Sequence, residues 1–436
     1  MKRLFLQLVM IGFLVVSAKA QETVYPAPAQ KETVYIVNAT IHVGNGQVIE
    51  NGTVKIANGK IAAVGAGNNA GSDGKVVDAK GQHVYPGLIL PSSQLGLVEV
   101  PPVRATVDSR ELGDINPSIR SIVAYNTDSK VINTLKSNGI LLANVYPDGG
   151  IIPGSSTVVQ LDAWNWEDAA YAMDNGIHYN MPSLLTRRGG GRGFGFGAAQ
   201  PAGDPIKRAL DDIEESKVFF REAKAYAAEA THAATNLKFE AVKGLFSKKQ
   251  KLYIHCNIVK EILVAVDFVK EFGFDVVIVG GSDSWLVTDV LKQYNISVIL
   301  GQMHDLPNMV DDDVDQPFKT PSILQKAGVL YAIGDEDGNT RSRNLAFNAG
   351  TAAAYGLTKE EALTAITLNA AKILGIADKT GSIEVGKDAN IVISVGDILD
   401  MKSSVITAAF IQGRAVDLTD KHKQLKARYE HKYGIN

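Results

Sequence analysis

The stretch Val84 to Leu97, VYPGLILPSSQLGL, divides the chain into two textures. Before it, short alternating apolar runs are punctuated by Asn-Gly and Gly-Asn turns. After it, apolar runs alternate with helical segments. Pro86-Gly87 closes the first pattern, and Leu88-Ile89-Leu90 opens the second as a buried strand that ends in the polar run Ser92-Ser93-Gln94. This stretch is where a small β unit hands over to a larger α/β body.

Working toward the N-terminus, YIVNATIHV, GTVKIANGKIAAVG and KVVDAKGQHVYPG read as strands joined by tight hairpins. A similar texture returns in GSIEVGKDANIVISVGD and AAFIQGRAVDL. Isolated hairpins are marginal in water, so residues 33–85 and 377–420 are expected to fold together as one composite β-sandwich. Lys2-Arg3, the apolar run Leu4–Val16 and Ala18-Lys19-Ala20 match a secretory signal peptide cut after Ala20. The run falls short of the roughly 20 residues that span a bilayer, so no stable membrane anchor is expected and the mature chain is expected to be exported, periplasmic or extracellular. Residues 21–32 read as a disordered leader and 421–436 as a polar tail.

Working toward the C-terminus, strands are expected at 140–146, 157–161, 252–256, 275–279, 297–300 and 329–333, separated by helices. Strand, helix, strand at this spacing argues for parallel βαβ units. The span 86–376 suits a (β/α)8 TIM-like barrel of roughly 250 residues. The fold class is therefore α/β. The chain has 436 residues, 45% hydrophobic and 21% charged, ample for such a core. Its net charge of −3 gives no footprint for nucleic acid. The single Cys256 excludes an intrachain disulfide.

Chemistry in such barrels sits where strands end. Those positions hold Ser92 and Gln94; Tyr146 and Asp148; His255; Gly280 and Gly281; Gln302 and His304; and Asp335, Glu336 and Asp337. His255, directly after Leu252-Tyr253-Ile254, has the best placement of the eight histidines. His42, His83, His178, His232, His422 and His431 read as structural. Three acids at one strand end repel unless something positive compensates, so at least one of Asp335 and Glu336 is a site candidate. The Gly-rich loop from Asp148 through Gly150 to Thr157 has amides that could cradle an anion. It lacks the Lys-Ser/Thr ending of a phosphate loop. The Arg-Gly-Phe stretch 187–203 reads as a lid or insertion, and Trp164, Trp166 and Trp285 as core or contact residues.

VYPGL, the alternating body, and then AYGLTKEEALTAITLNAAKILGIADKTGSIEVGKDANIVI (354–393) resemble the amidohydrolase superfamily, in particular its imidazolonepropionase-like members. Asn390 departs from the Asp often found there. The resemblance implies zinc or another divalent metal, held by a His-x-His after strand one, a Lys or Glu after strand four, a His after strand five, a His after strand six and an Asp after strand eight. Carried over, the first pair becomes Ser92 and Gln94, the strand-five His is His255, and the strand-six position is Gly280. The strand-eight Asp falls on Asp335 or Glu336, and no strand-four ligand is assigned. A catalytic zinc normally keeps three protein ligands. Coordination lowers the pKa of water from about 15.7 to about 7, worth about 12 kcal/mol, and neither Ser nor Gln replaces it.

Two readings follow. The first is an exported hydrolase of non-peptide or cyclic C–N bonds with an atypical or reduced metal site. Asp335, Glu336 and His255 would then be catalytic, His255 and Asp335 the remaining metal ligands, and Ser92, Gln94, Tyr146, Gly150 and His304 would contact a small-molecule substrate. The second is a metal-free pseudoenzyme that binds a ligand or pairs with an active homologue or with itself. Acid/base hydrolysis by His255 with Asp335 or Glu336 ranks last, because proton transfer supplies only about 10²- to 10⁴-fold.

Overall fold

The structure is a computed structural model, and it describes residues 24–185, 204–335 and 340–435. The signal-like segment 1–20, the Arg-Gly-Phe stretch, Glu336 and Asp337 lie outside the described residues.

The chain enters as a sheet. Strands β1 (Thr33–His42), β2 (Val48–Ala57), β3 (Lys60–Ala66), β4 (Gly74–Asp78) and β5 (His83–Pro86) follow one another. Asn58 and Gly59, both at positive φ, turn β2 into β3, the two-residue solution that matches strand twist. β4 and β5 occupy successive halves of one edge of β1.

Eight strands then line up in sequence order: β6 (Leu88–Ser93), β7 (Ile140–Val145), β8 (Gly154–Gln160), β9 (Ala170–Asn180), β10 (Lys251–Cys256), β11 (Val276–Gly280), β12 (Ser297–Leu300) and β13 (Tyr331–Ile333). β6 pairs parallel with β7, and β9 through β13 are parallel throughout. β8 runs antiparallel to both neighbours. The expected all-parallel barrel is therefore corrected to a mixed, nearly closed one. The physical reason is the connection: residues 146–153 are too few for a helical crossover, so the chain turns back on itself. Gly334, just past β13, lies against Pro91 of β6 and brings the ends of the sheet together.

Alternation along these strands sorts the core. Ile89, Leu142, Val158, Tyr253, Val277, Val279, Ile299 and Ala332 form one buried cluster inside the barrel, closed below by Ala370, Ala371, Ile373 and Leu374. Leu88, Leu90, Leu252, Ile254 and Ile278 belong to a larger cluster shared with the helices. Each such side chain contributes about 1.5–3 kcal/mol on burial. On β10 this phase sends Leu252, Ile254 and Cys256 to the helices and Tyr253 and His255 inward. Lys251 points to the closed end, where its Nζ donates to the carbonyls of Ile373 (2.6 Å) and Lys372, a good place for a cation at a helix C-terminus.

The outer layer includes α1 (Lys130–Lys136), α2 (Pro205–Ala228), α3 (Leu237–Phe246), α4 (Val259–Phe272), α5 (Thr288–Gln293), α6 (Gln316–Ala327), α7 (Leu345–Ala354), α8 (Lys359–Ala365) and α9 (Leu368–Leu374). The segment from Ile206 to about Phe246, which reads as one long or broken helix, is broken into α2 and α3, because Asn236 caps a new start by accepting from the Lys238 and Phe239 amides. A Phe220, Phe268, Phe272 and Phe274 cluster locks α2 onto α4.

Finally β14 (Ile391–Ser394), β15 (Ile406–Ile411) and β16 (Arg414–Ala415) return to the first sheet, β14 pairing antiparallel with β5 from Ile391↔Pro86 to Ser394↔His83. Both ends of the chain thus share one eight-stranded sheet. Asn390 donates to Thr380 Oγ1 and accepts from the Gln412 amide. An ionised Asp could not do both. Residues 421–433, read as tail, are helix α10 (Lys421–Tyr433), capped by buried Asp420. The leader is held in part: the Ala27 amide donates to Asp162 Oδ2 at 2.8 Å, and Gln30 caps the Gly59 amide.

Candidate functional site

His255 projects inward near the C-terminal end of β10 and is half-buried. Its neighbour across the sheet is His178 of β9, one step lower in register, opposite Tyr253. His178 has no exposed surface. Nδ1 of His178 and Nε2 of His255 are 2.8 Å apart. Tyr146 and Tyr253 stack on His178 at 4.5 and 4.9 Å, 4° and 10° from parallel, and Tyr146 also meets His255 at 4.8 Å. His178, read from sequence as structural, is therefore part of the inner cluster. Its signal was the in-phase alternation Gly176, His178, Asn180, which a reading by strand ends passes over.

Burial pushes the His255 imidazole down to about 4, opposed by the charge of Asp148. Burial, with His255 as a second cause, holds His178 well below the usual range. Both rings are neutral at pH 7. Because the folded pKa of His255 lies below the unfolded value of about 6.5, the unfolded chain binds more protons between pH 6.5 and 4. Stability is complete above that window and is lost as pH falls through it. The expected loss attributable to His255 between pH 7 and pH 5 is about 2 kcal/mol, read as a drop in urea midpoint that is smaller in His255→Gln.

Above this cluster the Gly-rich loop folds down. Gly149 and Gly150 take positive φ, and a Cβ on Gly150 would stand 2.7 Å from the Gly113 carbonyl. Gly150 offers its own carbonyl to Asn180 Nδ2 at 2.9 Å. The amides of Asp148, Ile151, Ile152 and Ser155 donate to the carbonyls of Ser109, Asp114, Asp114 and Ile119. Four amides of the loop read from sequence as an anion cradle are thus spent on the loop that follows β6. Asp148 pairs with Arg110, whose Nε donates at 2.9 Å.

The other expected site residues have their own surroundings. Ser92 is fully buried, with a hydroxyl that has no hydrogen-bond partner among the described residues. Gln94 is partly exposed. His304 is exposed, and its Nε2 meets Thr351 Oγ1 of α7 at 2.8 Å, so it faces a helix rather than His255. Asp335 is 1% exposed, with Asn348 Nδ2 at 3.4 Å and Arg341 Nε at 3.9 Å. Gly280 has φ +95°, and a Cβ there would stand 2.5 Å from Asn257 Oδ1. His42 and His83 hold the terminal sheet to α8 through Glu360, 2.6 Å from His42 Nδ1. Cys256 is buried and its thiol is pushed up by burial, so it is not a nucleophile.

A cavity of about 520 Å³ opens at the C-terminal edge of β10, β11 and β12, in the size range of ligand sites. Asn257, two residues beyond His255, lines it with Asp283, Trp285, Gln302, Asp305 and Arg341. Asp283 is 4% exposed; burial raises its carboxyl, while the Val259 amide, donating at 3.1 Å, works in the other direction. No spacing in the sequence marks Asp283 as part of this wall.

The same barrel is found in solved structures. An amidohydrolase from Thermotoga maritima superposes with TM-score 0.76 over 88% of this chain and 99% of its own, at 24% identity. An adenosine deaminase from Xanthomonas campestris, solved with bound zinc, gives TM-score 0.51 over 94% and 99%, at 15% identity. The model of the amidohydrolase family matches residues 293–416. The chain belongs to the amidohydrolase superfamily. Among amidohydrolases it is similar to amidohydrolase tasK of Hapsidospora irregularis, 22% identical over 401 residues, covering 84% of this chain and 39% of tasK. It is also similar to the imidazolonepropionase of Thermoplasma volcanium, 55% identical over 82 residues, which is 18% of this chain and 20% of that protein. These matches span well under half the length of either curated relative. Amidohydrolases usually bind divalent metals. Among the described residues of this amidohydrolase, no three of His, Cys, Asp and Glu come together to hold one. Ser92 and Gln94 are poor zinc ligands, Gly280 has no side chain, and Nε2 of His255 is engaged by His178. That donor set does not fit a zinc centre.

Proposed function

We propose that this amidohydrolase is an exported hydrolase that opens a C–N bond in a small amide or cyclic amide, with an atypical metal requirement. The observation that carries the reading is the cavity at the C-terminal edge of β10–β12, lined by Asn257, two residues beyond neutral His255 along the chain. Asn257 and Gln302 offer hydrogen-bonding side chains to an amide, Trp285 and Leu300 supply apolar walls, and Arg341, beside Asp335, lines the same cavity. His255 contributes a neutral hydrogen-bonding ring.

A second reading, a ligand-binding barrel without turnover that acts alone, as an oligomer or beside an active homologue, is favoured by the poor ligands at Ser92, Gln94 and Gly280. One experiment separates the two. The mature protein is expressed with metals supplied, its metal content is measured beside His255→Ala, and both are assayed across amides and lactams. Hydrolysis by the parent, with at least a 100-fold loss in His255→Ala, supports the hydrolase. Less than about a tenth of an equivalent of metal, no turnover, and saturable binding of a panel member sink it in favour of the second reading.

A further inference from the structure

The His178–His255 contact decides more than position. His178 is sandwiched between Tyr146 and Tyr253, so its ring cannot turn without breaking two stacks. Its Nδ1 faces Nε2 of His255 at 2.8 Å, while its own Nε2 is shut off from solvent and has no hydrogen-bond partner among the described residues. Two neutral imidazoles at this distance share one hydrogen. If it sits on His255, then His178 must carry its hydrogen on Nε2, and a buried N–H is left with no acceptor, a penalty of about 1–3 kcal/mol. If it sits on Nδ1 of His178, the enclosed Nε2 is a bare lone pair. Orphaned N–H groups are the rarer defect in folded proteins, so the second arrangement wins.

We infer that His178 is a positioning residue whose Nδ1–H donates to Nε2 of His255 and fixes His255 as its Nδ1–H tautomer. Which nitrogen of a histidine carries the hydrogen is set by the bond made at the other. The consequence is a change of role. In this tautomer the His255 nitrogen facing His178 accepts a hydrogen bond and the other ring nitrogen carries the hydrogen, so that nitrogen acts toward its partners as a donor. It can polarise a carbonyl or hold a developing oxyanion, but it does not take a proton from water. This meaning for catalysis rests on the hydrolase reading; the location of the hydrogen does not.

The test uses full-chain protein labelled with ¹⁵N-histidine at pH 7, with long-range ¹H–¹⁵N spectra that distinguish the two neutral tautomers. Resonances are assigned with His178→Asn, His178→Phe and His255→Asn. His178 and His255 are both expected as Nδ1–H forms, against the Nε2–H form that a free neutral ring prefers. His178→Asn keeps an N–H donor near the place of Nδ1, and His255 is expected to stay as it was. His178→Phe keeps the stack and removes the donor, and His255 is expected to revert to Nε2–H. An Nε2–H His255 in the parent, or one whose tautomer is unmoved by His178→Phe, overturns the inference. If the Phe variant does not fold, the parent spectrum decides alone. A protein that hydrolyses nothing yet shows Nδ1–H at His255 refutes the proposed function and leaves the tautomer standing; hydrolysis with Nε2–H does the reverse.

Discussion

Replacing Asp162 by alanine is expected to cost about 3–5 kcal/mol of folding free energy, the usual consequence of stranding a buried charge. The Asp162 side chain is 1% exposed and that of Lys136 is 2% exposed, with Lys136 Nζ 2.8 Å from Oδ1. Arg414 Nη1 donates to Oδ2 at 3.1 Å, and the Ala27 amide donates to the same oxygen at 2.8 Å. One carboxylate therefore joins α1, the end of β8, strand β16 and the entering chain. Alanine removes it and leaves the Lys136 ammonium and the Ala27 amide without their acceptor, while Arg414 loses its carboxylate but keeps the Ala27 and Asp162 carbonyls and Gln160 Oε1. Domains are stable by about 5–15 kcal/mol in total, so the variant should unfold at much lower urea. Asp162→Asn, which keeps an acceptor but no charge, is expected to lose less. Lys136→Met with Asp162→Asn should recover part of the loss, because the stranded cation is gone. A loss under 1 kcal/mol in Asp162→Ala would show that the network carries no stability.

This network also marks what the sequence could not disclose. Hairpin turns, strand spacing and the handover at Pro86-Gly87 are local, carried by Asn-Gly pairs and by runs such as Leu88-Ile89-Leu90, and the sheet and barrel follow from them. The reversal of β8 is not local. Thr157 to Leu161 reads as a strand in either direction, and only the short 146–153 connection argues for a turn back. The partnerships Ala27–Asp162 and Ser137–Asp420 span 135 and 283 residues, beyond any periodicity. At the site, His255 was legible because it follows an apolar run, whereas His304 sits equally near a strand end and turns to Thr351. Distance from a strand terminus says nothing of the direction a side chain takes. His178 was missed because its meaning lies in register with Tyr253 on another strand.

Restoring histidine at position 280 is expected to destabilise the protein by about 3 kcal/mol and to bring no zinc with it. From sequence, Ser92, Gln94 and Gly280 stand alike at positions where the resemblance places a metal-binding histidine. The structure separates them. Ser92 and Gln94 occupy conformations open to any residue, and His at both is opposed chiefly by overpacking, about 1–3 kcal/mol where Ser92 is fully buried. Gly280 holds φ +95° and Gly281 φ +58°, and a side chain held there costs about 1–3 kcal/mol in backbone strain alone. Its Cβ would also press to 2.5 Å of Asn257 Oδ1. That atom accepts from Ser282 Oγ at 3.1 Å, and the Asn257 carbonyl accepts from the Asp283 amide at 2.9 Å. Asn257 can therefore move only by disturbing the cavity wall. Gly280→Ala carries the same Cβ and the same φ, so it should show most of the loss with no imidazole present. That comparison, by urea denaturation and zinc titration, distinguishes a backbone built around glycine from a site that has merely lost a ligand. A stable Gly280→Ala, together with zinc uptake by the Ser92→His, Gln94→His, Gly280→His variant, would show that the strand-six position had kept the shape of a metal site.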